Sequence, residues 1–351
     1  MKRKYWPETT GSSIRENGFT NEELEKLVTT EYGFLEAQPY PTPIIFWPME
    51  LYSFGKCYRS WLGWPRFIPL CMYGDHGVHL KRELEEHEIQ SPSRFHLTWS
   101  DWRLKASRNV KTIVQIQHPW VTYRLKNEIF RKSDSQGTLV YLSHSLPNKD
   151  FKNYDFGEYF KALSDLPAEY KPIVISMPMH DINKGLHKEI RKYGFPLVTA
   201  GNTSSPFFVD RFYAIASNFR FATSNSPGSQ LFYCHELGLE YFLLGQEPVV
   251  NQGKGSEIAS NDPDLADLAE KLFHFSSKAN QAERDSFVKA GLGLGANFNG
   301  KRATIVKALI SELFRMLPYV FSVITRAGTT LALQIIKRSF SRIEGVQRRS
   351  Q

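Results

Sequence analysis

Phe221 to Gly245 reads FATSNSPGSQLFYCHELGLEYFLLG, and the fold is decided here. A short apolar run, Phe221–Ser224, gives way to a polar turn at Asn225–Gly228. An amphipathic helix is expected over Ser229–Leu237 and a second apolar strand over Tyr241–Leu244. Pro227 and Gly228 suit the entrance of a helix, where fixed φ and backbone freedom are both useful. Ser224, Asn225, Ser226 and Ser229 gather hydroxyl and amide groups at the same point. A helix N-terminus carries unpaired N–H donors and a partial positive charge, so the turn reads as an anion site. Ser and Asn are also favoured as plain helix caps, and that reading stands beside it.

Working outward, the pattern repeats. Apolar strands are predicted at Thr138–Leu142, Pro172–Ser176 and Pro196–Ala200, with helices at Tyr154–Leu166, Asn183–Tyr193, Pro206–Ser217 and Pro263–Phe273. Alternating strands and helices of this length build βαβ units and a doubly wound parallel sheet. Ligands of such sheets sit beyond the carboxyl ends of the strands. Those ends are polar here: Ser143–His144, His180–Asp181, Gly201–Asn202–Thr203 and Ser224–Asn225–Ser226. Upstream, shorter runs at Ile44–Trp47, Phe67–Met72, Phe95–Trp99 and Thr112–Gln117 predict buried strands of a smaller α/β unit. Residues 1–39 are polar, with one helix expected at Asn21–Thr29.

Composition narrows the class. The 351 residues are 41% hydrophobic and 23% charged, a globular balance with room for two domains. Cys57, Cys71 and Cys234 are far apart and include no CxxC pair, which argues against a disulfide framework or structural zinc and fits a reducing compartment. The first 35 residues hold no apolar run of signal-peptide type. The net charge of +8 is all in the tail: residues 296–351 hold ten Lys/Arg against Glu312 and Glu344, and the preceding residues balance. A neutral body with a basic tail argues against nucleic acid as partner. The tail has helical spacing over Ala303–Met316 and Ser322–Phe340, but its charge-free runs (Met316–Thr325, Ala327–Ile336) fall well short of the roughly 20 residues a membrane span needs. Two placements follow: a helix packed on the protein, or one lying in the headgroups of an anionic leaflet through residues 303–342.

On these residues the chain resembles GT-B-fold glycosyltransferases, in particular bacterial enzymes of capsular and other surface polysaccharides. The resemblance runs over roughly Arg66–Gly245 and is carried by FIPLCMYGDHGV, IVQIQHPW, GTLVYLSHS, PIVISMPMHDI, FPLVTAG, RFYAIASNFRFATSNSPGSQLFYCHELG and YFLLG. It implies two facing Rossmann-like domains, an acceptor side over 40–136 and a nucleotide-sugar side over 137–295, with 296–351 as a basic helical tail. The nearer likeness is to the sialyltransferase and Kdo-transferase branches, which use CMP-linked acid sugars. Gly74–Asp75–His76–Gly77 is similar to their acidic N-domain motif but has His between Asp and Gly. Ser224–Asn225–Ser226 looks like their hydroxyl pair. Their HP motif is altered, since Met177–Pro178–Met179–His180 places the histidine after the proline.

The expected chemistry is transfer of a sugar from a nucleotide-sugar donor (CMP-acid sugar first, UDP-sugar next) to a glycan or lipid-linked acceptor at the cytoplasmic face of the cell membrane. Asp75 or His76 is the candidate base for the acceptor hydroxyl, and a strand-end turn is the plain alternative for both. His118 is expected on the acceptor side or as a helix cap. Ser143, His144, His180, Ser224, Asn225, Ser226, Gly228 and Ser229 are the candidate nucleotide and phosphate contacts. No metal and no separate cofactor are expected, because Asp75, His76 and His79 lack an evident further ligand in sequence. Rival readings are a non-catalytic assembly protein on the same nucleotide fold and a nucleotide-sugar epimerase.

Overall fold

The computed structural model describes residues 6–7, 11–29, 40, 42, 44–106, 111–143, 156–246, 261–296 and 300–317. In chain order the elements used below are α1 (Gly11–Glu16), α2 (Asn21–Thr29), α3 (Phe54–Leu62), β1 (Tyr73–Gly74), α4 (Glu86–Ile89), β2 (Phe95–Thr98), α5 (Asp101–Ala106), β3 (Thr112–Gln115) and α6 (Pro119–Lys126). There follow β4 (Thr138–Tyr141), α7 (Phe156–Ser164), β5 (Ile173–Ser176), α8 (Met179–Asn183), α9 (Leu186–Arg191), β6 (Leu197–Val198) and α10 (Phe208–Ala216). The last are β7 (Phe221–Ser224), α11 (Ser229–Glu236), β8 (Glu240–Leu243), α12 (Pro263–Phe273) and α13 (Gln281–Leu292), then α14 over 300–317.

Among the described residues the strands form two parallel sheets. The five-stranded sheet has the order β6-β5-β4-β7-β8, so the chain winds outward from β4 in one direction and then, from β7, in the other. That is the doubly wound order, and its switch point lies between β4 and β7. Continuous runs of β-branched and aromatic residues form these strands because both faces are covered by helices; Leu139, Val140, Val174, Ile175 and Ala222 are fully buried. The smaller sheet has the order β1-β2-β3. At Gly74 the backbone of β1 runs so close to β2 that a Cβ would lie 2.8 Å from the Leu97 carbonyl oxygen.

Several sequence expectations change. Ile44–Trp47 is not a strand: residues Ile44–Met49 form a 3₁₀ helix. The run Phe67–Met72 lies before its strand, which is the two-residue β1. Phe46, Leu70, Cys71 and Met72 are buried without belonging to a strand, whereas Phe67 is exposed. The predicted helix Asn183–Tyr193 divides into α8 and α9 around Gly185, whose φ of +82° ends regular helix. Helix α2 has the predicted bounds, and α1 and α2 lie on the edge of the larger sheet: Phe19 N–H donates to the Leu197 carbonyl at 2.7 Å.

One continuous apolar core joins the two sheets. Trp120 of α6 lies against Phe212 and Tyr213 of α10 and Tyr233 of α11, with ring centroids 4.9, 5.8 and 4.5 Å away. Trp102 of α5 stacks on Phe287 of α13 at 5.6 Å. Polar ties cross the same boundary: Lys56 and Tyr123 both reach Asp210, and Arg124 forms a two-pronged pair with Glu236. Helix α14 then returns to the smaller sheet. Its Ile305, Leu309 and Met316 are buried, Glu312 pairs with Arg94 at 2.6 Å, and Lys301 donates to the Gln115 carbonyl.

Candidate active site

The polar turn after β7 meets the end of β4 at the switch point. Ser143 N–H and Oγ both donate to Asn225 Oδ1 there, at 3.1 and 2.7 Å. Ser143 Oγ also lies 2.8 Å from Ser226 Oγ. These three side chains form one cluster at the mouth of α11. Gly228 is the residue before the helix, in extended backbone, and contributes no side-chain cap. The predicted contacts do not all point into this cluster. Ser224 is fully buried; its Oγ lies 2.6 Å from the Tyr241 hydroxyl and donates to the Ser226 carbonyl at 2.5 Å, so it braces the turn from below. It also fastens β7 to β8. Ser229 points away: its Oγ accepts the Val78 N–H at 2.9 Å. His180 sits in α8, directly after β5. His144 lies outside the described residues.

The Val78–Ser229 bond brings the loop after β1 onto the start of α11. Gly77 permits this approach, because a Cβ there would lie 2.8 Å from Ser229 Oγ. Three further bonds hold the loop: Asp262 N–H donates to the Leu80 carbonyl at 2.7 Å, Trp102 Nε1 to the His79 carbonyl at 2.9 Å, and Arg82 pairs with Asp262 at 2.6 Å. The carboxyl ends of the two sheets are therefore joined at this loop, and Asp75 and His76 sit at its root.

Asp75 is buried at the centre of an ion network. Its Oδ1 accepts from His96 Nε2 at 2.8 Å and faces Arg103 Nε at 3.2 Å, and its Oδ2 accepts from Thr98 Oγ1 at 2.7 Å. Arg103 also binds Glu88 Oε2. Burial opposes the charge on Asp75, but the Arg103 guanidinium and His96 outweigh it and hold the carboxyl below the usual carboxylate range. A carboxylate this well solvated by donors is a weak base, and Asp75 is only 1% exposed. The expectation of Asp75 as base meets a residue built as an anchor. His76 is different. It is only partly buried, its Nδ1 has no hydrogen-bond partner, and burial lowers its pKa despite Glu88 and Asp75 nearby, so the ring is a neutral imidazole at pH 7. His79 packs edge-on against it at 4.7 Å and is likewise held neutral by burial.

His118 does not face an open cleft. It is fully buried between Phe54, Trp99 and Tyr233; its Nδ1 caps α6 by accepting from Trp120 N–H at 3.1 Å, and its Nε2 meets the Tyr233 hydroxyl at 3.1 Å. Burial holds it neutral, far below the usual histidine pKa. It acts as a cap and core group. The sequence reading missed His87, Glu88, His96, Thr98 and Arg103, which the fold brings to Asp75 and His76. The one local signal was the Glu85–Glu88 spacing, which forms a capping box on α4. A separate groove between α12 and α13, lined by Leu268, Leu272, Lys278 and Phe287, contains none of the predicted site residues.

No family model matches the chain, and no curated protein matches it. A solved structure of the wall teichoic acid polymerase TagF, soaked with CDPG, is similar at 11% sequence identity and a TM-score of 0.34, over 72% of this chain and 68% of that one. At that distance the likeness assigns neither fold nor activity. Among the described residues no helix is long and apolar enough to cross a membrane.

Proposed function

We propose that the protein is a glycosyltransferase of the GT-B kind, moving a sugar from a nucleotide-linked donor to a glycan or lipid-linked acceptor in surface polysaccharide assembly. The observation that carries this reading is the Ser143–Asn225–Ser226 cluster at the switch point of a doubly wound sheet, at the mouth of α11. A phosphate there would receive neutral donors and the positive end of a helix dipole. CMP-linked acid sugars are the first donor class and UDP-sugars the second. The acceptor hydroxyl approaches from the β1 loop, and His76 is the group that meets it: neutral, part-exposed, and tied through Gly77–Val78 to the helix that holds the donor. Asp75 orders that loop and stays charged throughout.

Membrane attachment belongs to the same proposal. Helix α14 lies on the protein through Ile305, Leu309 and Met316, while Ile310 and Phe314 face outward. Residues 318–342 of the predicted membrane helix lie outside the described residues. The direct test is transfer of radiolabelled sugar from CMP- and UDP-linked donors, with wild-type protein and the His76→Asn variant. Transfer by the first and its loss in the second supports the proposal. A folded wild-type protein that binds nucleotide yet transfers nothing makes it a non-catalytic nucleotide-fold protein.

A further inference from the structure

One ligand atom from each of His76, His87 and Glu88 lies within 4.8 Å of the others. This is a two-histidine, one-carboxylate set, and it has an unusual property. Glu88 is fully buried, yet its Oε1 has no hydrogen-bond partner; its other oxygen is fully used by the Glu85 N–H at 2.7 Å and by Arg103. His76 Nδ1 is also buried and without a partner. A buried polar atom left without a partner is costly, and two such atoms, Glu88 Oε1 and His76 Nδ1, converge here. The surroundings favour a cation. The carboxylates of Asp75, Glu85 and Glu88 gather here against Arg103 and Lys81.

We infer that His76, His87 and Glu88 bind one divalent transition-metal ion of the zinc class. Imidazole nitrogens select such ions over magnesium or calcium, which prefer all-oxygen sites. The neighbouring triad Asp75, Glu88 and His96 is the poorer choice, because the Arg103 guanidinium already lies 3.2 Å from Asp75. Zinc bonds of about 2.0–2.2 Å place ligand atoms roughly 3.3 Å apart, so the set must tighten on loading. His87 is the member able to move: its side chain is 48% exposed, on the four-residue α4, with its Nδ1 3.4 Å from Glu85. Its exposure also gives the ion a way in. The three protein ligands leave a position open for a further oxygen ligand. In the transferase reading, on which this clause alone rests, a bound ion would hold the acceptor hydroxyl oxygen and ease loss of its proton to solvent water, with His76 as ligand rather than as free base.

The test is zinc titration of the tag-free full-length chain by calorimetry, with visible spectroscopy of the cobalt-loaded form, for wild type, His87→Ala and His76→Asn. Circular dichroism confirms that each variant is folded; His87→Ala, at a half-exposed position, tests the proposal even where His76→Asn fails to fold. The expected result is one ion per wild-type chain, with affinity falling in His87→Ala by more than the roughly 10–100-fold that loss of an outer hydrogen-bond partner costs. A folded wild type that binds no zinc, or binds it equally well after His87→Ala, overturns the inference. Transfer activity that survives both chelation and His87→Ala would overturn the metal's part in the reaction and leave the transferase reading standing with His76 as free base. Zinc binding without any transfer would leave the metal site standing and remove the reaction.

Discussion

At the carboxyl end of the five-stranded sheet, Ser143, Asn225 and Ser226 satisfy one another with neutral hydrogen bonds; at that of the three-stranded sheet, Asp75, Glu88 and Arg103 bury opposite charges among histidines. The first arrangement costs little to assemble and can exchange its internal bonds for those of a ligand. The second is committed: each charge is tolerable only because its partner is present. On the proposed reading the two ends have two jobs, with nucleotide binding at the neutral end and placement of His76 at the charged end. The Val78–Ser229 bond is where the two meet.

The largest effect is expected from breaking the charged end. Arg103→Met leaves Asp75 and Glu88 buried without their guanidinium, and should lower stability by about 3–5 kcal/mol, measured by urea unfolding. Ser224→Ala at the other end removes neutral bonds to Tyr241 and the Ser226 carbonyl and should cost only about 1–2 kcal/mol in the same experiment. Equal losses would mean that the two ends are not built differently. Between these lies His118→Leu. It removes the α6 cap and leaves the Tyr233 hydroxyl buried, a loss of roughly 1–3 kcal/mol, with nucleotide affinity unchanged. A selective fall in affinity instead would restore His118 to the ligand site.

The junction can be probed by a double-mutant cycle. Gly77→Ala presses a Cβ against Ser229 Oγ, and Ser229→Ala removes the acceptor of the Val78 N–H. Ser229→Ala also makes room for the new methyl group, so the pair should be less damaging than the sum of the singles, by about 0.5–1 kcal/mol in transfer or stability. Strict additivity would show that the loop and helix do not communicate there. The smallest effect concerns α14. Burial disfavours the charge on Glu312, but Arg315 and Arg94 outweigh burial and lower its pKa. A carboxylate with a depressed folded pKa stabilises above its unfolded value and loses that contribution as pH falls through the folded one. Helix α14 should therefore stay protected in hydrogen exchange at pH 5 and loosen in stronger acid, whereas Glu312→Gln should remove that dependence.

The larger sheet was legible because its strands are continuous apolar runs separated by capped helices. Phe221–Ser224 and Pro263–Phe273 have their predicted bounds, and the Asp262 side chain caps the latter. The smaller sheet was harder to read. Its strands are two to four residues long, and aromatic residues that look β-forming, such as Phe46, instead fill a core from 3₁₀ backbone. At the candidate site the sequence placed Ser143 with Asn225 and Ser226 in one region, because strand-end position alone converges such residues. It could not show that Ser224 braces the turn from below and Ser229 turns away, since that depends on side-chain direction. Nor could it show that His87, Glu88 and Arg103 surround Asp75, because those meetings depend on how α4 and α5 pack against the β1 loop.

The central claim is that the neutral cluster binds the phosphate of a nucleotide-linked donor. Calorimetric titration of CMP, UDP, GDP and ADP into wild-type protein and Asn225→Ala tests it most directly. Asn225 holds Ser143 in place, and loss of a hydrogen bond to a charged group is worth about 1.5–3 kcal/mol, so the binding nucleotide should weaken by roughly 10–150-fold in the variant at little cost in stability. Binding of one nucleotide that is indifferent to Asn225→Ala, or no binding of any of the four by the folded chain, would contradict the account.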